Sequence, residues 1–352
     1  MKKVLICAYS LDIGGIEKAL INLLKNIDYD KYQVDLILHK KEGIFLKDVP
    51  SKVRIKEFNY SKASNKIFRK IGNLLAYFKF FILNHHKYDI SLAFTTYDNV
   101  GAKLSLIASK NSSLFIHSNY YDVYKGDISK IKAFFSKLKV NKFKRLVFVS
   151  NEARSGFLKV FKTKEETVVI NNLIDYEDIL VKAKEEVNFP KDKINLLYVG
   201  RLTEEDKAVS RIINLMTKLD NAVLHVVGSG LDENMYKEMV KKLNLDNVIF
   251  YGKDNNPYKY MNEADYILLS SNYEGFPVVY NEALVLNKQV ISTVDASDDV
   301  YKASDYFFIV SKDNFIEEAS NIINKQKQKK YIQPDFEKIN LQKLEKILTI
   351  DY

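Results

Sequence analysis

Between residues 272 and 284 the chain reads Asn-Tyr-Glu-Gly-Phe-Pro-Val-Val-Tyr-Asn-Glu-Ala-Leu, which sets Glu274 and Glu282 eight positions apart. Pro277 suits the first position of a helix, so Glu274 falls in the loop before that helix and Glu282 in its second turn. Gly275 lets the backbone pass close to a ligand, and in the turn that Pro277 sets, the free amides of Gly275, Phe276 and Val278, reinforced by the helix dipole, form a receptor for phosphate. Two carboxylates beside a phosphate repel it, so their chemistry is directed at neutral hydroxyls, as on a sugar and a ribose. The same two residues also fit a helix-capping Glu274 and a solvated Glu282, and the stretch alone does not choose.

Other residues of the same chemical kind lie at the ends of apolar runs. Arg201 and Lys207 follow one such run and supply two positive charges where a diphosphate would need neutralising. A lysine capping a helix and paired with Glu204, Glu205 or Asp206 is the alternative reading of Lys207. Gly14 and Gly15 sit between the first expected strand and helix, where missing side chains let amides approach an anion or a sugar. Gly228 and Gly230 follow a later strand, but no third glycine completes a dinucleotide fingerprint, which excludes an NAD-type reading. His117 ends an expected strand; such a residue is as often structural as functional. His85 and His86 have no acid or cysteine at ligand spacing, and no metal is expected to bind. Asp28 and Asp30 lie at the amino end of a strand and read as turn residues, whereas Asp295, Asp298 and Asp299 follow a strand and are candidates to touch an acceptor.

Together these segments resemble the retaining glycosyltransferases of the GT-B fold, specifically glycosyltransferase family 4, whose E-x7-E signature corresponds to Glu274 and Glu282. Val199-Gly200-Arg201-Leu202 with Lys207 resembles the family's Gly-Arg-Leu motif and downstream lysine. Val227-Gly228-Ser229-Gly230 and Leu11-Asp12-Ile13-Gly14-Gly15 resemble two of its glycine-bearing loops, in the family's order. The resemblance is most specific from about 195 to 300. It implies that Arg201 and Lys207 hold the diphosphate of a nucleotide-sugar, that Glu274 and Glu282 receive sugar and ribose hydroxyls, that Lys253 borders the base, and that His117 contacts the transferred sugar or the acceptor. Departures are the six-residue spacing from Arg201 to Lys207, and Asn287 and Gln289 in place of a glycine and a proline.

The elements that must carry these residues read as parallel α/β architecture: short β-branched runs alternate with longer segments of helical period. Strands are expected at 4–8, 33–38, 54–58, 90–94, 114–117, 146–149 and 167–170. The second set is expected at 195–199, 222–227, 248–251, 266–269, 289–292 and 306–309. Helices fall near 16–26, 64–84, 98–108, 128–140 and 152–161 in the first half. The expected fold is GT-B: two doubly wound Rossmann-like domains facing across a cleft, since ligands of open α/β sheets bind beyond the carboxyl ends of the strands. The expected division is an acceptor-binding domain over 1–178, a linker near 175–193, a nucleotide-sugar domain over 190–334, and an amphipathic helix over 335–352 packing back across them.

The 352 residues, 47% apolar and 28% charged, exclude wholesale disorder, and the single Cys7 excludes an internal disulfide. Residues 51–150 contain 19 Lys and Arg against 5 Asp and Glu, within a chain of net charge +9. Such a basic stretch points to an anionic partner. No window is apolar enough to span a bilayer. Segments 66–82 and 130–139 each place apolar residues at helical spacing among basic ones, the pattern of helices lying on an anionic membrane or of helices burying one face in a core. With the family resemblance, the expected protein is a cytoplasmic enzyme, peripheral on the inner face of the cell membrane. It moves a sugar, with retention, from a nucleoside diphosphate-sugar to a hydroxyl of a lipid-linked saccharide, using no metal or other cofactor and no nucleic acid. A non-catalytic partner subunit, a nucleotide-sugar epimerase of the same fold and a nucleic-acid binder are the alternatives.

Overall fold

The computed structural model describes residues 1–12, 14–58, 61, 64–273, 278–294, 306–325 and 334–349. They fold as two units, one formed by Met1–Ile174 with Phe336–Tyr352 and the other by Asp175–Asp335.

The first unit carries strands β1 (Lys2–Ala8), β2 (Tyr32–Leu38), β3 (Arg54–Glu57), β4 (Ile90–Ala93), β5 (Ser112–Ile116), β6 (Arg145–Phe148) and β7 (Glu166–Val169). Its helices are α1 (Gly15–Asn26), α2 (Lys66–Asn84), α3 (Asn99–Ala108), α4 (Tyr120–Val123), α5 (Ile128–Leu138) and α6 (Asn151–Leu158). The second unit holds α7 (Tyr176–Lys182), β8 (Ile194–Val199), α8 (Glu204–Lys207), α9 (Ser210–Leu215), β9 (Ala222–Val227), α10 (Glu233–Lys242) and β10 (Val248–Gly252). It continues with α11 (Tyr258–Glu263), β11 (Tyr266–Leu269), α12 (Val278–Val285), β12 (Gln289–Ser292), β13 (Phe307–Ile309) and α13 (Phe315–Lys325). Last comes α14 (Phe336–Leu348), which returns to the first unit.

Both sheets are parallel and doubly wound, with orders β3-β2-β1-β4-β5-β6-β7 and β10-β9-β8-β11-β12-β13. Each order reverses once, between β1 and β4 and between β8 and β11, and the carboxyl ends flanking those two reversals are where such sheets receive ligands. The central strands β1, β8 and β9 are buried on both faces, as continuous runs such as Val4-Leu5-Ile6 require. Helix starts follow side-chain caps: Asn65, Asp98, Asp127 and Ser150 each accept a bond from an amide in the first turn of α2, α3, α5 and α6.

Two sequence expectations change. The charged stretch expected to be a linker instead contains α7, capped by Asp175 and packed on α11 and α12 through a core that buries Ile179. Of the two basic amphipathic segments, α5 buries Ile131, Phe135 and Leu138 in the first unit's core and leaves Lys130, Lys132 and Lys137 exposed, so it has no apolar face to offer a membrane.

The terminal helix α14 completes the first core with Leu344, Ile347 and Leu348. Polar groups fix its register. The Asn340 amide donates to the carbonyl of Ile174 at 2.6 Å and to Asn26 Oδ1 at 2.9 Å, while its oxygen accepts from the Ile174 amide at 3.1 Å. Arg145, held by Glu166 at 2.7 Å, donates to the Lys346 and Thr349 carbonyls at the carboxyl end of the helix, where a cation also meets the favourable end of the dipole. Asn340→Ala strands both backbone groups of Ile174 in a buried site, and its expected cost is about 2–3 kcal/mol, read from the urea midpoint of the first unit's transition.

Candidate functional site

In the second unit, the loops after β8 and β9 touch backbone to backbone. The Gly200 amide donates to the Val227 carbonyl at 3.1 Å, Leu202 to Ser229 at 3.0 Å, and Asp232 back to Leu202 at 3.0 Å. Gly228 has φ +144°, and a β-carbon there would lie 1.8 Å from the Gly200 oxygen; at Gly230 it would lie 2.2 Å from the Leu202 oxygen. Both glycines therefore have a steric reason to be glycine, independent of any ligand.

This packing fixes the turn that carries Arg201. Its carbonyl accepts from the buried Tyr198 hydroxyl at 2.7 Å, and its guanidinium pairs with Asp206 at 2.8 Å, an acid that also bonds Thr203. The Arg201 side chain is 71% exposed. An exposed pair of this kind contributes little stability, so Asp206 orients the guanidinium without burying it. Lys207 closes α8, half-buried, one turn beyond. Glu204, by contrast, faces inward, accepting from the Ser210 hydroxyl at 2.6 Å and the Tyr236 hydroxyl at 2.9 Å.

The loop after β11 is fastened to this turn. Asn272 donates through its amide to the Asp206 carbonyl and through its side chain to the Glu205 carbonyl, both at 2.8 Å. The Ser270 hydroxyl lies 2.9 Å from the carbonyls of Lys207 and Ala208, and Arg211 donates to the Ser270 carbonyl at 2.8 Å. Burial and then Glu205 and Asp206 push the Tyr273 phenol up, while Arg201 draws it down. Glu274, Gly275, Phe276 and Pro277 lie outside the described residues, as do Asp295, Asp298 and Asp299. Val278 opens α12, and Glu282, one turn in, is only 8% exposed. Its Oε1 accepts from the buried Tyr258 hydroxyl at 3.0 Å. The solvated alternative for Glu282 thus fails: its carboxylate is set in place by a neighbour on α11. Lys253 is exposed beyond β10, two strands from β8.

At the corresponding edge of the first unit, Gly14 caps α1 in extended backbone. A β-carbon there would lie 2.2 Å from Glu17 Oε2, so Gly14, just before Gly15, gives room for a carboxylate that folds over the amino end of α1. Glu17 accepts from the Tyr97 hydroxyl at 3.0 Å. The negative charge expected from a ligand at this helix end is supplied by the chain itself, which disfavours a phosphate there and leaves hydroxyls as the groups this turn receives. His117 follows β5 and is buried; its Nε2 bonds the Phe94 carbonyl at 2.9 Å, and its amide donates to Thr96 Oγ1 at 3.1 Å. A carbonyl only accepts, so Nε2 carries the proton and Nδ1 is the acceptor. Burial, opposed by the Phe94 bond, lowers the imidazole to about 4, so it is neutral at pH 7. Among the described residues no cluster of three His, Cys, Asp or Glu is placed to hold a metal.

Asp206, Tyr258, Asn272 and Tyr273 are the residues that sequence reasoning missed as site supports. Asn272 and Tyr273 adjoin the acidic motif, but nothing in the spacing of Tyr258 links it to Glu282.

Residues 181–333 match the family described as Glycosyl transferases group 1. An uncharacterized glycosyltransferase of Methanocaldococcus jannaschii is 30% identical over 192 residues, 51% of this chain and 47% of that protein, so the match spans about half of that relative. A Campylobacter jejuni enzyme, named N-acetylgalactosamine-N,N'-diacetylbacillosaminyl-diphospho-undecaprenol 4-alpha-N-acetylgalactosaminyltransferase, is 28% identical over 336 residues, 89% of this chain and 87% of that one. Among solved structures, Anabaena HepE in complex with UDP-glucose superposes with a TM-score of 0.74 at 19% identity, over 99% of both chains. The chain has the GT-B fold. The matched stretch contains Arg201, Lys207, Gly228, Lys253 and Glu282, and the described parts of the loops that meet at the β8–β11 reversal fall inside it.

His117 yields a pH test. Its ordinary value of 6.5 falls to about 4 on folding, so the unfolded chain binds more protons between those values. The resulting stability is complete above pH 6.5 and is lost as pH falls toward 4, amounting to about 2 kcal/mol between pH 7 and 5. His117→Gln should flatten that part of the dependence of urea unfolding on pH; an unaltered slope would remove His117 as its source.

Proposed function

We propose that this protein is a retaining glycosyltransferase of glycosyltransferase family 4. On this reading it transfers a sugar from a nucleoside diphosphate-sugar to a hydroxyl of a lipid-linked saccharide in the building of surface polysaccharide. The observation that supports this most directly is the oriented, exposed Arg201 guanidinium, stitched beside the loop that leads to Glu274 and, one turn into α12, to the buried Glu282. Arg201 and Lys207 hold the diphosphate, with the amide-bearing turn before α12 as a second anion receptor; Glu282 receives ribose hydroxyls and Glu274 the hydroxyls of the sugar. The Campylobacter jejuni relative, matched over most of both chains, is named for a diphospho-undecaprenol substrate, and an Escherichia coli relative, 31% identical over 130 residues and 34% of each chain, is named a lipopolysaccharide 1,6-galactosyltransferase. These names support a lipid-linked acceptor and a place at the inner face of the cell membrane, with an anionic bilayer as partner of the basic first unit.

In the reaction the bond between the anomeric carbon and the diphosphate oxygen breaks, and the acceptor oxygen bonds to the same face of that carbon. The acceptor's proton passes to an oxygen of the departing diphosphate, so no protein base is required. Charge builds on the leaving group, and cations and amides already in place stabilise it without reorganising. No resident metal takes part. Neutral His117, with Nδ1 as acceptor, orients a hydroxyl of the sugar or acceptor rather than neutralising phosphate.

Glu274→Ala should lose a charge-assisted hydrogen bond of about 1.5–3 kcal/mol, a drop of roughly 10–100-fold in kcat/KM. Arg201→Ala should fall further and lose the thermal shift that the cognate nucleotide-sugar gives the wild-type chain in a screen of donors. Near-normal turnover in the first variant, or an unchanged shift in the second, contradicts the assigned roles; conversion of donor without acceptor would instead identify an epimerase.

A further inference from the structure

Helix α2 is docked on the first unit by one narrow face. Phe80 is buried against Phe58, with Tyr77 5.2 Å from the same ring; the Asn73 side chain accepts from the Ser61 amide at 2.9 Å, and Gly72 sits where a β-carbon would lie 2.5 Å from Ser61 Cβ. The rest of the helix is uncovered. Ile67, Phe68, Leu74, Leu75, Phe78 and Ile82 are each 61–69% exposed, and Ile71 and Phe81 are exposed with them. At 100° per residue these eight side chains fill an arc of about 140°, centred opposite Phe80, along about 24 Å of helix. Lys70 and Lys79 border the arc on its two sides, and Lys66 and Arg69 lie farther round; the helix contains no acid.

A stripe of this size is larger than the apolar patches that lone soluble domains usually leave in water, roughly 300–600 Å². No helix among the described residues is long and apolar enough to cross a membrane, so α2 is not a span. We infer that α2 lies in the plane of an anionic bilayer, its apolar arc sunk to the acyl boundary and Lys70 and Lys79 at the headgroups. Charge decides between occupants. A second copy of the chain would bring two all-basic helices together within a stretch that has 19 basic residues against 5 acidic ones, whereas anionic headgroups neutralise the flanking lysines. The apolar arc supplies a hydrophobic component of binding that salt does not screen, and the lysines add a component that it does. The inference deepens the proposed lipid-linked acceptor: α2 alone is the attachment element, and α5 is not.

The chain has no tryptophan, so one placed by substitution reports alone. Phe78→Trp, titrated with vesicles of phosphatidylcholine and phosphatidylglycerol, should shift its emission to the blue and be quenched by brominated acyl chains; Tyr77→Trp, on the docked face, should do neither. Raised salt should weaken vesicle binding without abolishing it. Leu75→Glu combined with Phe78→Glu should lower affinity for the same vesicles at least tenfold in a flotation assay while leaving the thermal shift with nucleotide-sugar unchanged. Lys132→Gln with Lys137→Gln on α5 should bind as wild type. An unshifted emission from the Phe78→Trp variant, wild-type flotation of the double glutamate variant, or a blue shift that grows with protein concentration in the absence of lipid would overturn the inference. Because the vesicle readouts need no donor, failure of any nucleotide-sugar to stabilise the chain would count against the transferase reading alone.

Discussion

The constraint on which the second unit depends is that two strand-end loops share one volume of backbone. With φ at +144° and the Gly200 oxygen where a side chain would begin, Gly228 admits the β8 loop against the β9 loop, and Gly230 repeats the arrangement one turn on. Everything that orients Arg201 follows. Its carbonyl is tied from below by Tyr198, its guanidinium is steered by Asp206, and Asp206 belongs to the short helix to which Asn272 fastens the next loop. The cation is thus exposed yet held by neighbours that are themselves held, which is the way a protein preorganises a charge without the penalty of burying it.

Glu282 is withdrawn into the unit and bonded to Tyr258, so one oxygen is committed to the protein and its position is set before any ligand arrives. In the first unit Glu17 does something similar at the amino end of α1, where Gly14 vacates the space it needs. Carboxylates fixed in this manner suit the recognition of hydroxyls, whose direction matters, better than that of phosphate, whose charge they oppose.

Much of the fold is legible in the sequence because parallel strands buried on both faces must read as short apolar runs, and the helices between them as longer periodic ones. The strands at 222–227, 266–269 and 289–292 begin and end where the apolar runs do, and Asn65 and Asp98 show why helices start where they do. Three features are not legible. Helix α7 hides in a run of charges because Ile179 is its one buried residue while Leu180 and Val181 are exposed, and the cap at Asp175 outweighs the linker-like composition. The contrast between α2 and α5 cannot be read from either sequence, since both are basic and amphipathic; what differs is whether other elements cover the apolar face. The glycine loops at 228 and 230 read as ligand-facing because close approach to a ligand and close approach to another loop make the same demand on a residue.

The return of α14 to the first unit has a consequence for how the chain is made. Leu344, Ile347 and Leu348 belong to the core that Leu20, Leu24 and Val34 begin, yet the whole second unit is synthesised between them. On a ribosome the first of these two units to be started is the last to be finished, and until its closing helix emerges, the Ile174 backbone waits without Asn340 and the Arg145 guanidinium without the carbonyls of Lys346 and Thr349.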